Sequence, residues 1–349
     1  MTETSPLPIV VPERRHPKLA FPLVFVGLLI LLVITAFVSL GLGVVPVGDV
    51  FDAVWRSTND PIRTIIYEVR LPRILLAMLI GIALGTSGAA YQALFRNPLA
   101  DPFIVGASSG AATGATLVIV MGWTGAIVGI GATSIGAFAG TLLAVWLVYA
   151  VASVGRMPSV TMLLAGAAIS TMLSGLVWLM MALANEQLQQ IIYWLMGGLN
   201  GKGMTEVART WPLLLGGAGV LCLLGRPLDA VCCGEDVARS LGLRVGAIFA
   251  LVLAAASLVV ATSVAVGGIV GFIGLAAPHL ARPLVGAAHV RLIPASGLVG
   301  AILLLIADGI ARSIVPPLEL PLSAITSLIG GPIFLIVLRR TASHATGGT

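Results

Sequence analysis

Residues 74–115 read ILLAMLIGIALGTSGAAYQALF, then RNPLADP, then FIVGASSGAATGA. The first block, 74–95, carries no formal charge and is long enough to cross a hydrocarbon layer, which takes about 20 mostly apolar residues. The second places Arg96, Asp101, Pro98 and Pro102 in one short break. The third resumes with little but Gly, Ala, Ser and Thr. An apolar run, a stiff polar break and a small-residue run predict two packed membrane helices joined by a shaped turn.

Working outward, the same alternation fills the chain. Hydrophobic residues make up 58%, charged residues 9%, and the mean hydropathy is +1.08. A soluble domain carries about 25% charged residues, so this chain cannot cover a water-facing surface. The fold class expected is all-α and polytopic, with about ten transmembrane helices. Spans are predicted at 21–41, 73–95, 104–121, 124–151, 160–183, 211–225, 246–266, 270–286, 293–313 and 321–338. The segment 187–199, QLQQIIYWLMGGL, predicts an amphipathic helix at a membrane surface. This organisation gives one membrane domain over 21–338, an N-terminal segment 1–20 and a tail 339–349. The run after PERRHPK lacks a small-residue cleavage site and reads as a retained helix. Gly-rich, interrupted spans are tolerated where they face protein or a water-filled path, which favours a channel or transporter over an anchor.

Positive charge sets the orientation. With both termini placed inside, twelve of the nineteen Lys and Arg fall on the cytoplasmic side. The net charge of +5 is then membrane topology and implies no nucleic acid. Arg70, Arg73 and Arg312 fall at outer span mouths, against the rule. They read either as interfacial groups paired with Glu68 or Glu319, or as a docking surface for an acidic partner.

In RNPLADP, Pro98 and Pro102 fix φ and remove two donors, while Asn97 and Asp101 can accept from freed backbone N–H groups. A stiff, capped turn at the inner end of a path suits gating; a plain tight turn is the alternative. Gly106, Gly110 and Gly114 recur every fourth residue, as do Gly81 with Gly85 and Gly136 with Gly140, a spacing that lets helices approach closely. The segment 266–283, VGGIVGFIGLAAPHLARP, echoes the 74–115 unit in the opposite direction, an inverted-repeat character common in transporters. The polar insertion 232–246, CCGEDVARSLGLRVG, predicts a short helix bracketed by Gly234 and Gly242. Its acids, Glu235 and Asp236, sit in the first turn, where they suit the dipole, and Val237 and Leu241 share a face. It reads as an insert into a partner or as a solvated loop helix. Asp308 is an acid deep in a span, read as a pair with Arg312 one turn on or as a proton relay. Cys222, Cys232 and Cys233 form no CxxC, the four His have no metal-ligand spacing, and no phosphate-binding Gly-x4-Gly-Lys-Ser/Thr is present. Neither an enzyme nor a resident cofactor or metal is expected.

Together RLPR, RNPLADP, YWLMGGL, GFIGLAAPH, the AD…AR of the ninth span and the following ELP resemble the permeases of bacterial ABC importers for iron–siderophores, haem and cobalamin, over about 47–339. The resemblance implies a second permease copy, two cytoplasmic ATPase subunits and an outer substrate-binding protein in the inner membrane. It implies docking of the binding protein at Arg70, Arg73 and Arg312, and a cytoplasmic gate at Asn97 and Leu99 with Ser159 and Val160. Val160 departs from the Thr or Ser often found there. Coupling helices are implied at about 227–245, with Glu235, Asp236, Val237, Arg239 and Leu241. Met172, Met180 and Met196 are expected to offer soft walls to a bulky cargo. The competing readings are an ion- or proton-coupled transporter using Asp308 and a membrane scaffold.

Overall fold

The computed structural model of the chain describes residues 21–42, 61–127, 130–153, 158–184, 186–315 and 318–346. The 1–20 segment and residues 347–349 of the predicted tail lie outside them. Every predicted span has its helix: α1 (Phe21–Gly41), α2 (Leu71–Leu94), α3 (Ala107–Val120), α4 (Ala132–Ala152) and α5 (Pro158–Leu183) come first. The surface helix α6 (Leu188–Met196) follows, then α7 (Met204–Leu223) and two short helices, α8 (Gly225–Cys232) and α9 (Glu235–Ser240). The chain continues through α10 (Val245–Gly267), α11 (Ile273–Val285), α12 (His289–Ser313) and α13 (Leu322–Thr346). A helical turn (Pro61–Thr64) and a π-helical stretch (Ile65–Arg70) run directly into α2.

The spans are not equivalent. Among the described residues, six helices are long and apolar enough to cross a membrane alone, and α7 with α8 would add a seventh, bent by 47°. The 13 residues of α11 reach about 20 Å at 1.5 Å per residue, short of a hydrocarbon layer. The predicted fourth span also begins late, because Ala126–Ile127 and Ile130–Gly131 pair as a small antiparallel hairpin before α4. The short helices are products of the Pro- and Gly-rich breaks at 95–106 and 268–272.

At the centre, α2 is almost wholly enclosed, packing on α12, α7, α10 and α11. Its small residues set how close these partners come. A Cβ on Gly81 would fall 2.5 Å from the Ala301 Cα, and those on Gly85 and Gly88 would overlap the carbonyl oxygens of Ser296 and Gly274. In the second packed pair, Gly110 and Gly114 of α3 lie on Gly140 and Gly136 of α4. Gly106 does not share that stripe: its φ of 83° makes it the left-handed entry to α3.

Gly88→Val should therefore force α2 from α11 and cost about 1–3 kcal/mol or more by overpacking. Gly27→Val, with nothing within 4 Å of a new Cβ, should leave the unfolding midpoint in detergent unchanged. Equal midpoints for both variants would refute close backbone contact as the reason for Gly88.

Candidate functional site

Two clusters stand at opposite ends of α2. The first is the RNPLADP loop. Phe95 caps α2, and Arg96 then turns the chain with a left-handed φ of 47°. Asn97 Oδ1 accepts the Leu99 N–H at 2.9 Å, and Asp101 Oδ1 accepts the Phe103 N–H at 2.9 Å, so both predicted side-chain turns form. Burial of the Asp101 carboxyl raises its pKa to about 6, with the Phe103 N–H opposing the rise. Leu99 stands exposed at the tip.

The loop is held from two sides. On one, His279 Nε2 of α11 donates to the Pro98 carbonyl oxygen at 2.8 Å, and the Pro102 ring lies against Gly274. Arg282 adds a hydrogen bond from Nη2 to Gln92 Oε1 at 3.1 Å. On the other, Arg96 Nη2 donates to the Val231 carbonyl oxygen of α8 at 2.6 Å. The roles of His279, Arg282 and Arg96 were missed in the sequence. The one hint was that GFIGLAAPH pairs a His with a Pro-broken helix, as RNPLADP pairs its Arg with a Pro-broken turn.

The predicted polar insertion forms its one short helix, α9, directly after α8. Gly234 (φ 131°) and Gly242 (φ 78°) bracket α9, which begins with Glu235 and Asp236. Arg239 bridges Glu235 at 2.8 Å and Asp236 at 3.3 Å, exposed pairs that contribute about 0.3–0.5 kcal/mol each. Val237 and Leu241 are left bare, Leu241 at 65% exposure. Next to α9, α8 is anchored to the body by Asp229 Oδ1, which accepts the His289 N–H at 2.8 Å. Ser159 and Val160 fall in the first turn of α5, with Val160 exposed.

The second cluster holds Arg70, Arg73 and Arg312, whose side chains are buried in the single chain. Arg70 and Arg73 are each 6% exposed, and the Arg312 side chain 8%. Arg73 Nε donates to Asp308 Oδ1 at 2.9 Å, and its Nη1 to Glu319 Oε1 at 2.8 Å. Arg312 Nε lies 3.1 Å from Asp308 Oδ2, an ion pair without hydrogen-bond alignment. The remaining donors close the end of α1: Arg70 Nη1 reaches the Leu40 carbonyl at 2.5 Å, and Arg312 Nη2 the Ser39 carbonyl at 3.1 Å. The physical reason is twofold. A guanidinium at membrane depth needs a counter-charge, and the last carbonyls of a helix need donors. The pairing with Glu319 and the Asp308–Arg312 pair were both legible as alternatives. With two guanidinium groups on Asp308, itself 0% exposed, the relay reading loses its water-accessible carboxylate.

The three predicted path methionines separate. Met172 and Met196 are exposed, whereas Met180 is buried against Ala112 and Val177. Among the described residues no group of three His, Cys, Asp or Glu side chains gathers to hold a metal.

A family model described as the FecCD transport family matches residues 28–340, taking in both clusters, every helix from α2 to α12 and most of α1 and α13. The chain belongs to the FecCD transport family. It is similar to the hemin transport system permease protein HmuU of Yersinia pestis, 38% identical over 92% of this chain and 96% of that protein. It is 41% identical to the cobalamin import system permease protein BtuC of Halobacterium salinarum, over 79% of this chain and 74% of that one. The molybdate import system permease protein MolB of Haemophilus influenzae is 35% identical over 91% of this chain. A solved structure described as an inward-facing metal-chelate type ABC transporter superposes with a TM-score of 0.80 at 34% identity, covering 92% of this chain and 99% of that one. This FecCD member is a multi-pass ABC importer permease, a transport subunit rather than an enzyme.

Proposed function

We propose that this permease works as one of two copies in an ATP-driven importer of the bacterial inner membrane. The importer takes a bulky chelate (an iron–siderophore, haem or cobalamin) from an outer binding protein and releases it to the cytoplasm by alternating access. Both termini face the cytoplasm in this reading. Two ATPase subunits dock on α8–α9, where Val237 and Leu241 are the anchor, flanked by Glu235, Asp236 and Arg239. The observation that carries the reading is the bond of Arg96 to Val231, which joins the RNPLADP loop to the helix pair that carries the bare Val237 and Leu241. A second copy is proposed along the bare side of α5, which carries the exposed Met172 and Trp178. It would bring Asn97 and Leu99 near their mates or near Ser159 and Val160, closing the path below. Docking at Arg73 would exchange Glu319, whose side chain is 33% exposed, for an acid of the binding protein.

Cys placed at Leu99, alone or with Cys at Val160, should crosslink between the two copies in one nucleotide state and not another. A disulfide requires Cα atoms within about 7 Å, so the crosslink reads geometry and needs no knowledge of the cargo. Absence of a crosslink in every state, with and without ATP, would return the loop to a plain turn. Transport that persists with a disabled ATPase but stops when the proton gradient is dissipated would favour the coupled transporter instead.

A further inference from the structure

We infer that Arg96 is the positioning residue that ties the α8–α9 pair to the RNPLADP loop, so that movement of the pair reaches the gate through its guanidinium–carbonyl bond. The inference rests on the reading of α8–α9 as the ATPase-docking element and of the loop as the gate. Three observations converge on it.

The first is the acceptor. The Val231 carbonyl takes the Arg96 Nη2 donor at 2.6 Å and also the N–H of Gly234 at 3.1 Å. Gly234, with its φ of 131°, is the residue from which α9 begins, so one oxygen joins the end of α8, the start of α9 and the loop. Swinging α9 about Gly234 disturbs the same atom that holds Arg96.

The second is the backbone. Arg96 is one of two non-glycine residues with positive φ among the described residues. A left-handed conformation suits glycine, which has no Cβ. The chain keeps a long cationic side chain where the backbone favours glycine, and that strain calls for a use of the side chain.

The third is what surrounds the bond. Past Arg96, the loop is fastened to α11 by His279 at Pro98 and by Pro102 on Gly274. Behind α8, Asp229 fastens the pair to the start of α12 through His289. Both neighbours of the Arg96 link are thus tied to the transmembrane body. Asn97 and Leu99 follow Arg96 directly, so a pull at this link acts first on them.

The test uses the full importer, with its ATPase and binding protein, in liposomes. It reads basal ATP hydrolysis, transport, and the crosslink of Cys at position 99 with and without nucleotide. Arg96→Gly fits the left-handed backbone and lacks the guanidinium, so loss of function there reports the side chain. It should keep basal hydrolysis, lose transport by about ten-fold or more, as expected for one charged hydrogen bond, and show a crosslink that no longer depends on nucleotide. Arg96→Lys, which retains a donor, should restore most of the transport and the nucleotide dependence. Transport in Arg96→Gly close to the parent overturns the inference. So does loss of basal hydrolysis together with transport, which would make Arg96 an assembly residue. Val237→Asp with Leu241→Asp separates the two levels. Failure of that double variant beside a normal Arg96→Gly removes only this inference, whereas normal transport in the double variant removes the docking reading beneath it.

Discussion

Asp308→Ala should destabilise the protein by about 3–5 kcal/mol, the cost of leaving a buried charge without its partner. Two guanidinium groups converge on this carboxylate from α2 and α12, and it is fully buried. Removing it sets Arg73 and Arg312 against each other in a place that water does not reach. Arg73 would keep Glu319, but Arg312 would keep only the carbonyls and hydroxyl at the end of α1. Glu319→Ala removes a partner that is one-third exposed, so water replaces much of what is lost, and it should cost about 1 kcal/mol or less. Thermal unfolding in detergent checks the order, with Asp308→Ala far below Glu319→Ala. Equal midpoints would mean that the cluster is wet in solution. The measurement also bears on the proton-relay reading, in which Asp308→Ala stops transport while stability is kept.

Changing Val237 and Leu241 together to Asp should abolish transport. Each of these side chains is exposed in the single chain, and burying one against a partner stabilises by about 1.5–3 kcal/mol. Substituting carboxylates removes that gain twice over and adds the cost of placing charges in an apolar seat. Co-purification of the ATPase subunits should fall, or their hydrolysis should continue without transport. Because α9 is solvated in the free chain, and Arg239 already pairs with Glu235 and Asp236, the permease itself should fold normally. Full transport by the double variant would assign the docking of the ATPases elsewhere.

How much of this was legible in the sequence follows from the range of each interaction. The side-chain turns at Asn97 and Asp101 span two residues, so prolines and side-chain oxygens in RNPLADP announce them. The bracket of α9 by Gly234 and Gly242, its acidic first turn and its bare Val237 and Leu241 are likewise local. Resemblance of ordered motifs to a permease family added what local physics could not, and the match over 28–340 bears that family out.

The sequence by itself determined where the helices lie, because an apolar run of sufficient length has no other way to satisfy its backbone inside a membrane. It also determined that α2, α3 and α4 pack closely, since small residues at every fourth position leave a groove on one face. Tertiary structure decided which groove met which: Gly81 and Gly85 found α12, while Gly110 and Gly114 found α4. It decided that Met172 is bare and Met180 enclosed, although both lie on α5. Above all, it decided the direction of the three arginines. The acids that turn Arg73 inward lie 235 and 246 residues further along the chain, and only the packing of α2 against α12 brings them within reach. A charge at a helix mouth reads alike in sequence whether it meets water or a buried carboxylate; the fold supplies the carboxylate, and the cost of desolvating an unpaired guanidinium then leaves it no other place.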